Sequence, residues 1–320
     1  MGGPLLFAIA VSVAAAADQS AADLERIAQS PYEIDRYVRQ AQPSDWKPLA
    51  QALHLRRDWV LPPCDPRPGA LRDCASELIA IAEPPQVILL LRHEPSMLEV
   101  YFRFVQVSGS ERWRLTGEYE PFVKYFAPTH KVVMIGDRPH LFVTAQGNAG
   151  TCMSSHREEW IDLTQPDMEP IFARTVKGDR CNSSIPDRAV ESTVTAVRVQ
   201  PEPRIDVSYS VRFSVELDNG EQIDVGRRQD IVVYVRRGKE YQADAARSTL
   251  TQKQIEDLYE NLESDPLPQE YVHYAFGRLR EIASGAPGPE TRWLTAFLRK
   301  CPPTDDTRTL LNLLHVPQRK

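Results

Sequence analysis

The side chains with most to offer chemically lie between residues 130 and 160. His130, Asp137, His140, His156 and Glu158 supply imidazoles and carboxylates, the donor types that hold zinc and similar ions. Gly147 to Trp160, GNAGTCMSSHREEW, is the densest polar stretch of the chain. His156 stands two residues before Glu158, so an extended backbone projects both from one face. Ligands from neighbouring strands could in principle converge there on a metal or a hydrolytic centre. The spacing nevertheless fits histidines on a solvated strand face better, because the chain has neither His-Glu-x-x-His nor Cys-x-x-Cys. Ser154 and Ser155 precede His156, but adjacent strand residues point to opposite faces, and no Gly-x-Ser-x-Gly elbow is present. No catalytic, metal-ligating or cofactor-binding residue is assigned from the sequence, and no cofactor is expected.

Other reactive groupings read as structural. Glu158-Glu159 and Asp305-Asp306 are carboxylate pairs, but glycoside chemistry needs carboxyls facing each other across a sugar-sized gap. Asp305-Asp306 are expected in the first turn of a helix, where negative charge complements the dipole. Arg227-Arg228 and Arg236-Arg237-Lys239 flank a short apolar run. Extended, that run separates them by roughly 20 Å, and both are expected as charged turn tips. Trp113, Tyr119, Phe122, Tyr125 and Phe126 cluster beside Arg112 and Arg114. Such surfaces occur at interfaces, although a β domain needs most of these rings in its core. Neither a dinucleotide-binding Gly-x-Gly-x-x-Gly nor a P-loop occurs.

Five cysteines bear on the compartment. Cys64 and Cys74 bracket a short segment with two prolines and a glycine, Cys152 and Cys181 bracket a longer extended one, and Cys301 stands alone between Lys300 and Pro302. Several connectivities are open. Pairing of sequence neighbours, 64 with 74 and 152 with 181, is the expectation, with Cys301 left as an ordinary free thiol. Disulfides belong to oxidising compartments, and the N-terminus agrees. Residues 1–17, MGGPLLFAIAVSVAAAA, give a short apolar run and then alanines before Asp18, the order of a signal peptide with its cleavage site, although the first residues carry no Lys or Arg. The run is too short to span a bilayer, and no later stretch reaches the length that requires. Asn182-Ser183-Ser184 matches a glycosylation sequon, a pattern that arises often by chance. Thirty of the 38 basic residues are Arg, a bias that suits a GC-rich bacterial genome. A periplasmic or secreted protein is the expectation.

The elements that must position these groups are mainly strands. Between about 76 and 245 the apolar period is two. Val207, Tyr209, Val211, Phe213, Val215 and Leu217 alternate with polar residues up to Asn219-Gly220, a strong hairpin signal. The return is expected as 221–225 followed by 229–235. Further strands are expected near 77–82, 86–92, 98–105, 112–117, 130–135, 140–145, 157–163, 169–176 and 190–199. No helical pattern separates them, which predicts an antiparallel meander or sandwich. Helices flank this core. Ser30-Pro31-Tyr32-Glu33 has the order of a helix start, and Ser44 can cap a second short helix. Thr251 with Gln254 makes a capping box, followed by a longer helix over about 267–284 and two more marked by Trp293 and by Thr304.

The chain therefore reads as α+β, mainly β. A signal peptide at 1–17 precedes an N-terminal helical segment over 18–60, an antiparallel β core over 61–245 and a C-terminal helical segment over 246–320. A net charge of −6 over 320 residues argues against a polybasic nucleic-acid binder, and 42% hydrophobic residues against wholesale disorder. The expected function is that of an exported soluble protein that binds a protein or small-molecule partner without catalysis, with neither nucleic-acid binding nor a membrane span. The alternative is a secreted hydrolase or metal-dependent enzyme with a site near His130, His140 and His156.

Overall fold

The structure, a computed structural model, describes residues 26–41, 51, 74–81, 85–93, 98–121, 126–150, 152–181, 185–262 and 264–314. Among these residues twelve strands form two antiparallel sheets in which sequence neighbours are sheet neighbours, and short helices flank them at either end. This is the α+β, mainly β architecture that the alternating pattern predicts. The chain divides into two compact units, Met1–Pro128 with Asp162–Glu169, and Thr129–Ile161 with Pro170–Lys320. The signal-like residues 1–17, the Ser44 helix start, Cys64 and the 182–184 sequon lie outside the described residues.

The first unit is a four-stranded meander, β1 (Cys74–Ile81), β2 (Gln86–His93), β3 (Leu98–Gln106) and β4 (Trp113–Tyr119). Helix α1 (Pro31–Ala41) starts where the sequence places it, with Ser30 Oγ accepting from the Glu33 amide at 3.4 Å. Ile34 and Val38, one turn apart on α1, bury against Leu89, Leu91, Val100, Phe102 and Phe104. Trp113 packs with this cluster and meets the Tyr32 ring edge-on, while Tyr119 is buried against Tyr101. The aromatic cluster seen in the sequence thus sends these two rings into packing, and 122–125 lie outside the described residues.

The second unit holds an eight-stranded sheet: β5 (Phe126–Ile135), β6 (Arg138–Gly150), β7 (Met153–Asp162), β8 (Pro170–Arg180), β9 (Asp187–Arg198), β10 (Arg204–Glu216), β11 (Gln222–Arg237) and β12 (Glu240–Ala243). Registers slip at His156/Arg157 and Trp160/Ile161 against β8, at Asp206/Val207 against β9, and at Phe213/Ser214 against β11. Bulges bend strands and increase their twist. The sheet accordingly curls until β12 touches β8, four places away, with the Phe172 and Tyr241 ring centroids 6.2 Å apart.

One face of this sheet is covered by the C-terminal helices. Thr251 caps α2 (Gln252–Ile255) through the expected capping box, and the chain then widens into a π turn at Glu256–Glu260. After it come α3 (Pro268–Tyr274), α4 (Phe276–Ala283), α5 (Pro289–Leu298) and α6 (Asp305–Leu313). The long helix expected over 267–284 is broken at Ala275, which sits against the sheet at Gly226. A Cβ on Gly226 would stand 2.8 Å from that of Ala275 and 3.2 Å from Phe213 Cδ2.

This contact also corrects the reading of residues 221–235 as two strands with Arg227-Arg228 at a turn tip. β11 is continuous, Gly226 is a point of close approach, and Arg228 lies mid-strand, paired with Asp230. Val225 is the extra residue at the bulge, and its carbonyl accepts from the Tyr271 hydroxyl at 3.2 Å.

Candidate functional site

The histidines singled out in the sequence do not form a common centre. His130 is on β5, buried His140 on β6 has Nδ1 3.0 Å from the Arg138 carbonyl, and His156 on β7 lies opposite Lys177. Among the described residues no group of three or more His, Cys, Asp and Glu side chains is placed to hold a metal ion. Glu158 has a different task. Its Oε1 accepts from Trp160 Nε1 at 3.0 Å and from Arg174 Nε and Nη2 at 3.0 and 2.9 Å. Glu159, one residue on, instead pairs with Arg157 at 3.0 Å. Ser154 donates to Asp179 and Ser155 to the Gly147 carbonyl, both at 3.4 Å.

Cys152 and Cys181 are joined, and the Cys181 amide bonds the Cys152 carbonyl at 2.9 Å. The pairing of Cys64 with Cys74 involves a residue outside the described part. Cys301 is free and half-buried, and burial pushes its thiol up to about 11, the opposite of an activated thiolate. Asp306 accepts from His273 Nδ1 at 2.9 Å in the first turn of α6, and Thr304 caps that helix.

The constellation that does form centres on Glu260, at the end of the π turn. Three successive residues of that turn engage the sheet: Leu258 and Tyr259 are fully buried, and Glu260 reaches β8 and β10. Glu260 Oε2 accepts from the Thr175 amide at 3.0 Å and its hydroxyl at 3.3 Å, and Oε1 accepts from the Tyr209 hydroxyl. With its proton on Glu260, Tyr209 accepts in turn from Tyr234, 2.8 Å away. Burial pushes the Glu260 carboxyl above its usual range, and the Tyr209 hydrogen bond opposes that only in part. Burial also drives the Tyr209 and Tyr234 phenols upward, so both stay protonated and able to donate.

Two further networks fasten this region. Asp230 accepts from Arg228 at 2.6 and 3.0 Å, from Tyr259 at 2.6 Å and from Thr249 at 2.9 Å. Burial works against that charge, but the hydrogen bonds outweigh it and hold the Asp230 carboxyl below the usual range. The Tyr259 ring lies 4.7 Å from that of Tyr209, which joins the two clusters. Arg188, 2% exposed, donates to the carbonyls of Asp257, within the π turn, and of Asn261 and Ser264, just beyond it. Burial lowers its guanidinium to about 10, still charged at neutral pH and complementary to the negative end of a helical segment.

Above Glu260 opens a cleft of about 800 Å³, within the roughly 300–1,000 Å³ of typical ligand pockets. Phe172, Tyr234 and Tyr241 supply its aromatic wall, and Arg157, Glu159, Glu240 and Glu256 its charges. Arg157 and Glu159 neutralise each other, whereas Glu240 and Glu256 are exposed and have no ion-pair partner among the described residues. The cleft can receive an organic cation or a basic side chain, stacked on a ring and faced by carboxylate.

No protein-family model, no curated protein and no solved structure matches the chain. Sequence reasoning missed Glu260, Tyr209, Tyr234 and Arg188. The nearest available signal was the alternation that puts Tyr209 on the buried face of its strand.

Proposed function

We propose that this protein is an exported, non-enzymatic binding protein whose cleft takes a cationic ligand with an apolar or aromatic body. The observation that carries the reading is the pairing of an aromatic wall, Phe172, Tyr234 and Tyr241, with two carboxylates that lack a cation partner among the described residues, Glu240 and Glu256. A cation over an aromatic ring gains about 0.5–1 kcal/mol at an exposed site and more when desolvated. The rigid floor supports binding too, since Tyr234, Tyr209 and Glu260 hold one another in place and need no rearrangement to accept a ligand. Export is supported by the Cys152–Cys181 disulfide and by the signal-like N-terminus. No helix among the described residues is long and apolar enough to cross a membrane.

The test is calorimetric titration of the full chain with tri-arginine, tri-alanine and tri-glutamate peptides. Tri-arginine is expected to bind, the other two not. The double variant Glu240→Lys, Glu256→Lys should weaken that binding by about thirtyfold, as each attraction of about 0.5 kcal/mol becomes a repulsion of about the same size. Equal binding of the acidic peptide would overturn the reading, and cleavage of the bound peptide would replace it with a hydrolase.

A further inference from the structure

A second recess in the same unit differs from the cleft in both polarity and charge. It is a groove of about 470 Å³ between β5 and β9. Its floor is the stacked pair Phe142 and Trp160, with ring centroids 4.1 Å apart and planes 12° from parallel. Val133 and Ile135 stand on one side, Val194 and Val197 on the other. At the rim Met134, Val197 and Val199 are 56%, 39% and 42% exposed. The turn after β5 closes one end, where a Cβ on Gly136 would lie 3.4 Å from Val199 Cγ1. Isolated apolar side chains at a surface are ordinary, but a cluster around a concavity marks a binding surface.

The charges lining the groove indicate what fills it. On the floor, Glu158 and Arg174 pair with each other, and Arg174 Nη1 donates to the Ser192 carbonyl and hydroxyl at 2.9 and 2.6 Å. That pair is neutral and engaged within the protein. The remaining charged group is Lys131, whose Nζ lies 5.4 Å from the Phe142 ring centroid and has no carboxylate partner among the described residues. A cation poised over an aromatic floor, at the mouth of an aliphatic trough, complements one chemistry: a carboxylate at the end of an alkyl chain.

We propose that this groove binds a long-chain fatty acid, with its alkyl chain along Val133, Phe142, Trp160 and Val194 and its carboxylate at Lys131. Burial of each methylene contributes roughly a fourfold gain in affinity, so the chain supplies most of the binding. Lys131 selects the headgroup. The site is separate from the acid-rimmed cleft and does not depend on the ligand proposed there.

The experiment titrates the full chain calorimetrically with octanoate, decanoate and dodecanoate, with dodecanol and dodecyltrimethylammonium as neutral and cationic counterparts. Affinity is expected to rise roughly fourfold per methylene along the carboxylate series. Lys131→Glu should weaken dodecanoate about fivefold, as a rim attraction becomes a repulsion, while dodecanol binding stays unchanged. Val197→Glu, at an exposed rim position that should leave the fold intact, should weaken every chain, and urea unfolding checks that intactness. Glu240→Lys with Glu256→Lys should leave dodecanoate binding as it is. Absence of binding, equal binding of dodecyltrimethylammonium, or indifference of dodecanoate to Lys131→Glu would each overturn the proposal. So would a dimer in light scattering that Val197→Glu dissolves, which would give the groove to a second copy of the chain.

Discussion

Glu260→Gln tests the buried network through its proton. In the folded chain Glu260 accepts from the Thr175 amide and hydroxyl and from Tyr209, yet burial keeps its carboxyl above the ordinary 4.5. A raised folded value means that the native state holds the proton at a pH where the unfolded chain has released it. Well below pH 4.5 both states are protonated and the group's contribution to stability is complete. As pH rises past 4.5 the unfolded state ionises first, so stability falls until pH passes the raised native value, then levels off. One proton sets the steepest slope at about 1.4 kcal/mol per pH unit. The amide cannot titrate, and it fits the same bonds: its oxygen beneath Thr175, its nitrogen donating to Tyr209, whose own proton turns to Tyr234. Other titrating groups are common to both chains and cancel in the difference. Urea unfolding of wild type and variant from about pH 4 to about pH 8 should therefore give a stability difference that moves in the variant's favour above pH 4.5 and then flattens. A flat difference, or one that favours the wild type increasingly as pH rises, would refute the claim that burial outweighs the hydrogen bonds at Glu260.

Arg188→Met removes a buried guanidinium that serves three carbonyls; the orphaned acceptors should lower stability by about 3–5 kcal/mol in urea unfolding. Gly178→Ala would place a Cβ 2.0 Å from Leu262 Cδ1 and 3.2 Å from the Ser154 carbonyl oxygen. It should destabilise by about 1–3 kcal/mol, and Leu262→Ala should be less harmful in that background than in wild type, since the clash goes with it. Reduction of Cys152–Cys181, 29 residues apart in sequence, should lower stability by about 3–4 kcal/mol through the freed unfolded chain. A melting temperature unmoved by reductant would contradict that.

The strands were legible because their information is local. Alternation such as Val207 to Val215 requires only that one face meet a core, and Asn219-Gly220 carries its own turn geometry, with Gly220 at a φ of 80°. The caps of α1, α2 and α6 are equally local, each a side chain reaching an amide three residues on. The stretch 226–228 misleads for the converse reason: Arg227-Arg228 look like a charged turn tip until Ala275, far along the chain, is seen to press on Gly226. The break of the 267–284 helix at Ala275 has the same origin, since nothing in the local periodicity marks where the sheet will touch.

The candidate cleft was not legible at all. No local pattern marks Glu260, and its partners Thr175 and Tyr209 are 85 and 51 residues away. Periodicity and capping depend on covalent neighbours, so the chain by itself determined a mainly β architecture with helical ends. It also determined a cysteine spacing in which 152 and 181 could close. Only the tertiary structure decided which polar groups lose their water. The curl of the eight-stranded sheet and the π turn that docks on it set Glu260, Tyr209 and Tyr234 together and placed Lys131 above Phe142. A side chain's desolvation and partners are sums over the whole packed molecule, and no stretch of sequence contains that sum.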